Sequence, residues 1–151
     1  CAGVPFQVVR TKLATLSGLK RDTIINYLSY LDKAKLIRLL YSDLKNIKRM
    51  QKPDKIYIDN TNLLNAWATA PIQIGTIRET FVANQLSVNH VVEFRKTNGD
   101  FLVDSKYTFE VGGDDKDFQQ IANVADSFIL ADDMETAIGK KLPIWVVGFD
   151  Y

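Results

Sequence analysis

Two short apolar runs, Val91 to Phe94 and Phe101 to Val103, are separated by a stretch containing Asn98-Gly99. An Asn-Gly pair tolerates the positive φ angles of a tight turn, so this segment reads as a β-hairpin and commits its surroundings to an antiparallel sheet. A third run, Tyr107 to Val111, follows within a few residues. Asp100 stands at the start of the second run and Glu110 near the end of the third. Adjacent strands in this order deliver both carboxylates to neighbouring positions, where oxygen ligands can share a hard cation such as Mg²⁺ that activates water against a phosphodiester. The bland reading is that Asp100 only flanks the turn.

That chemistry ordinarily includes a lysine two residues after the Glu, to stabilise developing negative charge. Position 112 is Gly, and Lys116 is the nearest following lysine that can stand in for it. The Gly112-Gly113 pair opens a loop to an apolar segment read as a helix from about Asp117 to Val124. Asp114, Asp115 and Asp117 oppose anion binding there, and suit the positive end of that helix instead.

The remainder of this half is read as a helix opened by Gly75-Thr-Ile-Arg-Glu79, then a strand at Ser127 to Leu130 and a strand at Ile144 to Phe149. Thr76 and Glu79 have capping-box spacing. The continuous apolar run Ile144-Trp-Val-Val-Gly-Phe149 suits a strand buried on both faces.

Charge divides the chain. Residues 1 to 70 hold 12 Lys and Arg against 5 Asp and Glu, a net of +7, and residues 71 to 151 hold 7 against 13, a net of −6. Two modules with different partners fit this division, with a seam at Ala68-Thr-Ala-Pro-Ile-Gln-Ile-Gly75. Domains are therefore expected at 1–70 and 71–151. In the basic half, Lys12 to Ser17 reads as a short helix, Gly18 as its turn and Lys20 to Leu36 as a second helix. Ile24, Tyr27, Leu28 and Leu31 form the apolar face of that helix, and Asp22, Asn26, Ser29, Tyr30 and Lys33 the opposite stripe. Strands at Ile37 to Tyr41 and Lys55 to Ile58 complete a winged helix-turn-helix. Candidate DNA contacts are Lys20, Arg21 and Asn26 on the helix and Lys45, Lys48 and Arg49 in the loop between the strands. Asp22 at the groove-facing end argues against tight contact.

Several functions drop out. No Gly-x-x-x-x-Gly-Lys-Ser/Thr phosphate loop occurs, so these residues are not themselves an ATPase. One Cys and one His cannot build a zinc site, and His90 reads as a solvent-facing or capping residue. No apolar run approaches the ~18 residues of a membrane span. The start, Cys-Ala-Gly-Val-Pro, lacks an initiator Met and signal-peptide order, so a fragment of a longer cytoplasmic protein is expected.

The Asp100-Phe101 pair with Glu110 resembles the PD-(D/E)xK nuclease superfamily. The chain is more closely similar to the C-terminal domain of unknown function carried by many bacterial and archaeal AAA-type ATPases, whose motif reads roughly Glu-x-Asp-Phe, then Glu-x-Lys. Lys12-Leu-Ala, the run Tyr27 to Ile37 and Leu63-Leu64 match its winged-helix segment. Asn98 replaces the first Glu and Gly112 the Lys.

The resemblance implies an α/β chain, a winged helix-turn-helix followed by a restriction-endonuclease-like αβββαβ domain, with Glu79 bordering the site. It also implies ATP only at an upstream ATPase domain of the same chain. The expected function is a DNA-associating accessory module whose nuclease-like site, Asp100 and Glu110 with Mg²⁺ at most, is inactive because Gly112 replaces the lysine. The alternatives are an active metal-dependent nuclease with a relocated lysine, and a protein-interaction module that does not bind DNA.

Overall fold

The computed structural model describes Phe6–Gln7, Thr15, residues 17–42 and residues 53–149. The chain divides into two compact units, Cys1–Ile72 and Gln73–Tyr151. It is a mixed α/β protein, and each unit builds its own sheet.

In the first unit, Thr15 and Ser17 are helical, and Gly18 turns the chain with φ of +66°. Helix α1 (Arg21–Lys33) follows after the extended residue Lys20. It ends at Ala34, and Lys35 takes a left-handed φ of 56° as Leu36 N–H donates to the Leu31 carbonyl at 3.0 Å. Strands β1 (Phe6–Gln7), β2 (Ile37–Leu40) and β3 (Lys55–Ile58) form an antiparallel sheet in the order β1-β3-β2. Helix α2 (Thr61–Trp67) is capped by Asn60, whose side chain accepts from Leu63 N–H at 3.0 Å.

Ile56, Tyr57 and Leu64 are buried in this unit. Arg38 and Asp59 form an ion pair at 2.8 Å with both side chains largely withdrawn from solvent. Asp54 ties Ser42 through its N–H and hydroxyl, both at 2.8 Å, and so closes the base of the β2–β3 connection. The tip of that connection, with Lys45, Lys48 and Arg49, lies outside the described residues, as does most of the short helix expected at Lys12 to Ser17.

Burial on α1 departs from the expected division of faces. No residue of the helix is buried, and Tyr27 and Leu31, assigned to the core face, are exposed along with Tyr30.

The second unit opens with α3 (Ile74–Leu86), whose Thr80, Val82, Ala83 and Leu86 are buried. Its N-cap is Gln73, so Thr76 lies inside the first turn. The expected capping box is thereby corrected, because Thr76 is already helical and its N–H donates to the Gln73 carbonyl. Strands β4 (Val92–Phe94), β5 (Phe101–Val103), β6 (Tyr107–Gly112), β7 (Ser127–Ala131) and β8 (Lys141–Pro143) form one sheet in sequence order. The first three pair antiparallel through hairpins; β6–β7 and β7–β8 are parallel.

Both hairpins need left-handed residues. Asn98 and Gly99 have φ of 58° and 113°, and Asp104 and Ser105 have 52° and 57°. Gly99 is doubly constrained: a Cβ there would stand 2.6 Å from Thr108 Cγ2 and 3.2 Å from the Phe109 carbonyl.

Two expected elements differ. Ile144–Phe149 is a 3₁₀ helix, not a strand. Ile144 and Val147, three residues apart, are buried, while Trp145, Val146 and Phe149 are exposed, as a three-residue period requires. The strand β8 instead ends at Pro143, which has no N–H for a ladder. The helix expected at Asp117 to Val124 is a chain of turns, bonded Ile121 N–H to Phe118 and Val124 N–H to Ile121. An acidic helix terminus is therefore not what Asp114, Asp115 and Asp117 serve.

Among the described residues, no helix is long and apolar enough to cross a membrane.

Candidate functional site

The β5–β6 hairpin positions both carboxylates. Phe101 pairs with Phe109, and Asp100 N–H donates to the Phe109 carbonyl at 2.8 Å, so Asp100 stands one register step on, opposite Glu110. Asp100 Oδ2 accepts the Val111 N–H at 2.9 Å, extending the ladder with a side-chain acceptor where main-chain pairing has ended. Asp100 also flanks the turn, since its carbonyl accepts from Arg95 N–H at 2.9 Å.

Glu110 is 2% exposed and sits on β6, the strand at which the sheet changes from antiparallel to parallel pairing. A buried carboxylate needs a compensating cation or several donors. Lys116 supplies the first, with Nζ 2.5 Å from Glu110 Oε1. Gln120 supplies the second: with its NH₂ turned toward the carboxylate, it donates to Oε1 at 2.7 Å and to Oε2 at 3.1 Å. Burial works to lower the Lys116 pKa, but the hydrogen bond and charge of Glu110, helped by Asp100 and Asp117, outweigh it and hold the ammonium above its ordinary value.

Gly112 explains how Lys116 reaches this position. A Cβ at residue 112 would stand 2.7 Å from Lys116 Cβ and 2.7 Å from its Cγ. The lysine stem therefore crosses the space that any larger residue at 112 would fill. The residue that lacks a side chain at the expected lysine position makes room for a lysine four residues later. The argument that Gly112 deprives the site of a cation does not hold for this geometry.

Around this cluster, α3 presents Arg78, whose Nε pairs with Asp132 Oδ2 at 3.0 Å and whose Nη2 pairs with Asp133 Oδ2 at 3.2 Å. The same guanidinium lies beside Gly113, 3.3 Å from where its Cβ would be. Lys141 Nζ donates to the Asp114 carbonyl. Glu79 lies on α3 and is half-buried. His90 Nδ1 meets Asp104 Oδ2 at 2.6 Å, joining the end of the α3–β4 connection to the β5–β6 turn. In the other unit, Lys20, Arg21 and Asn26 are exposed along the first half of α1.

Lys116 and Gln120 were the residues of this cluster least visible in the sequence. Only Gly112-Gly113 preceding a lysine hinted at the first.

The donor set does not suit a resident divalent cation. Both Glu110 oxygens already accept from Lys116 or Gln120, and one Asp100 oxygen is held by a main-chain N–H. Among the described residues, no three His, Cys, Asp or Glu side chains come together as a metal-holding group. What the cluster can do chemically is hold one buried negative charge against one internal positive charge.

Comparison of the chain with protein-family models, with curated proteins and with solved structures finds no match in any of the three.

Proposed function

We propose that the chain is a DNA-associating accessory module, of the kind the resemblance implies for the C-terminal region of AAA-type ATPases. In this reading residues 1–72 are a winged helix-turn-helix and residues 73–151 a restriction-endonuclease-like domain that does not cleave. ATP chemistry belongs to an upstream domain of the same chain.

The observation that carries the reading is the arrangement of the basic unit. Helix α1 is followed by a β2–β3 hairpin in a sheet of order β1-β3-β2, and the helix keeps Lys20, Arg21 and Asn26 in solvent. A helix entering the major groove with an adjacent hairpin on phosphates uses such a surface. The net charge of +7 over residues 1 to 70 favours it over a neutral packing module.

The test is fluorescence anisotropy with duplex DNA at two salt concentrations. Binding weakens steeply with salt, and replacing Lys45, Lys48 and Arg49 by Ala flattens that dependence. Incubation of linear, supercoiled and single-stranded DNA with Mg²⁺ or Mn²⁺ yields no cleavage. Cleavage that disappears in a Glu110→Ala variant would replace this reading with an active nuclease.

One observation favours a second reading. Tyr27, Tyr30 and Leu31 are 52%, 61% and 39% exposed on α1, an apolar surface suited to a protein partner. Undetectable DNA binding at low salt would promote it.

A further inference from the structure

The Lys116–Glu110 pair carries an inference that goes beyond DNA association and needs only the geometry of residues 100–120. We infer that Lys116 is a built-in cation occupying the place a divalent metal would take between Asp100 and Glu110, so that the site is metal-independent and becomes a metal site only when Lys116 is removed.

Three observations converge on this. Glu110 is nearly sealed from solvent, its side chain 3% exposed, and the Lys116 ammonium lies 2.5 Å from it. A carboxylate at that depth keeps its charge only with a cation alongside, and the lysine already provides it. Gly112 leaves room for the lysine stem, with no Cβ to collide with the Cβ and Cγ of Lys116. Gln120 then donates to both Glu110 oxygens, at 2.7 Å and 3.1 Å. A metal entering here would have to expel an ammonium, lose the amide's donation and place two like charges close together. Each of these opposes binding.

With the lysine gone, the balance reverses. Asp100 and Glu110 remain opposed across the hairpin with their negative charge uncompensated, and a hard cation is what such a pair of oxygens selects. The Gln120 amide can turn its oxygen inward as a further neutral ligand, since its two ends differ only in which faces the site.

The experiment is a titration of the full chain with Mn²⁺, following free Mn²⁺ by electron paramagnetic resonance. The proteins are wild type, Lys116→Met and Lys116→Met/Glu110→Gln. Wild type leaves Mn²⁺ essentially free at concentrations where Lys116→Met binds one equivalent, an affinity difference of at least about tenfold. The double variant returns to wild-type behaviour.

Stability gives a second readout that does not depend on metal. In the presence of a chelator, the double variant unfolds at a higher temperature than Lys116→Met, because the second change removes the stranded carboxylate.

Two results would overturn the inference. One is Mn²⁺ binding to wild type that Glu110→Gln abolishes, which would make Lys116 a companion of the metal and not its substitute. The other is a folded Lys116→Met protein that binds Mn²⁺ no better than wild type. The wild-type titration stands alone if Lys116→Met fails to fold. Neither result bears on whether the basic unit binds DNA.

Discussion

Lys116 lies across the open face of Gly112, its Cβ and Cγ each 2.7 Å from where a side chain at 112 would begin. Two residues four apart in sequence thus share one volume, and the smaller permits the larger to reach Glu110. Gly112→Ala forces the root of the lysine stem to move, which a flexible tip would avoid but a Cβ and Cγ cannot. We expect a loss of about 1–3 kcal/mol in stability. Chemical denaturation of wild type and Gly112→Ala measures it, and an unchanged midpoint would show that the lysine does not pass over this glycine.

Gly99→Ala tests the turn that sets Asp100 opposite Glu110. The backbone there has φ of 113° and the new methyl would stand 2.6 Å from Thr108 Cγ2. Conformational strain and steric overlap add, so destabilisation of at least about 2 kcal/mol is expected. Asn98, with φ of 58°, tolerates Asn98→Gly with little change. Comparing the two variants by thermal unfolding separates a demand for positive φ from a demand for space.

Asp104 gives a pH dependence with a definite sign. The Val91 N–H donates to its Oδ1 at 3.0 Å, and His90 Nδ1 lies 2.6 Å from its Oδ2. The main-chain bond first, and then the histidine, hold the carboxyl below its ordinary value of 3.8. A carboxyl depressed by folding contributes stability above its unfolded value and loses it as pH falls through the lower folded value. The stability difference between wild type and Asp104→Asn should therefore be constant near neutrality and shrink below about pH 4. Denaturation midpoints from pH 7 to pH 2 check this, and a difference that grows on acidification would refute it.

Arg38 and Asp59 make the corresponding test in the basic unit. Their 2.8 Å contact is largely withdrawn from solvent, and the Arg38 Nε has no hydrogen-bond partner. Asp59→Ala leaves a poorly solvated guanidinium without its carboxylate. A loss of about 3 kcal/mol is expected, read from urea denaturation. A near-neutral result would mean that water reaches Arg38 once the carboxylate is gone.

The hairpins were legible because their signals are local. Asn98-Gly99 marks positive φ, and the alternation in Phe101 to Val103 and Tyr107 to Val111 locates β5 and β6 to within a residue. The segments at Phe118 to Val124 and Ile144 to Phe149 were not, since Phe118, Ile121 and Val124 recur every three residues. That spacing suits an α-helix, a 3₁₀ helix or successive turns, and a continuous apolar run suits a strand as well.

At the site, the register of a hairpin made the Asp100–Glu110 apposition readable. Lys116 was hidden because its reach is decided by the turn through Gly113 to Asp115, not by its spacing from Glu110. On α1, apolar periodicity marked an apolar face correctly but carried no information on how much of it is covered.

The change of strand direction at β6 has a kinetic consequence. The β4–β5 and β5–β6 pairings join residues close in sequence, and hairpins of this sort close in about 1–10 μs. The parallel β6–β7 pairing needs residues 113–126 to cross over, a slower event because more chain must be ordered before contacts form. Asp100 and Glu110 can thus come face to face before the segment carrying Lys116 has docked. The lysine then acts late, as a latch on a sheet already partly made. Its removal should quicken unfolding and leave the refolding rate nearly unchanged.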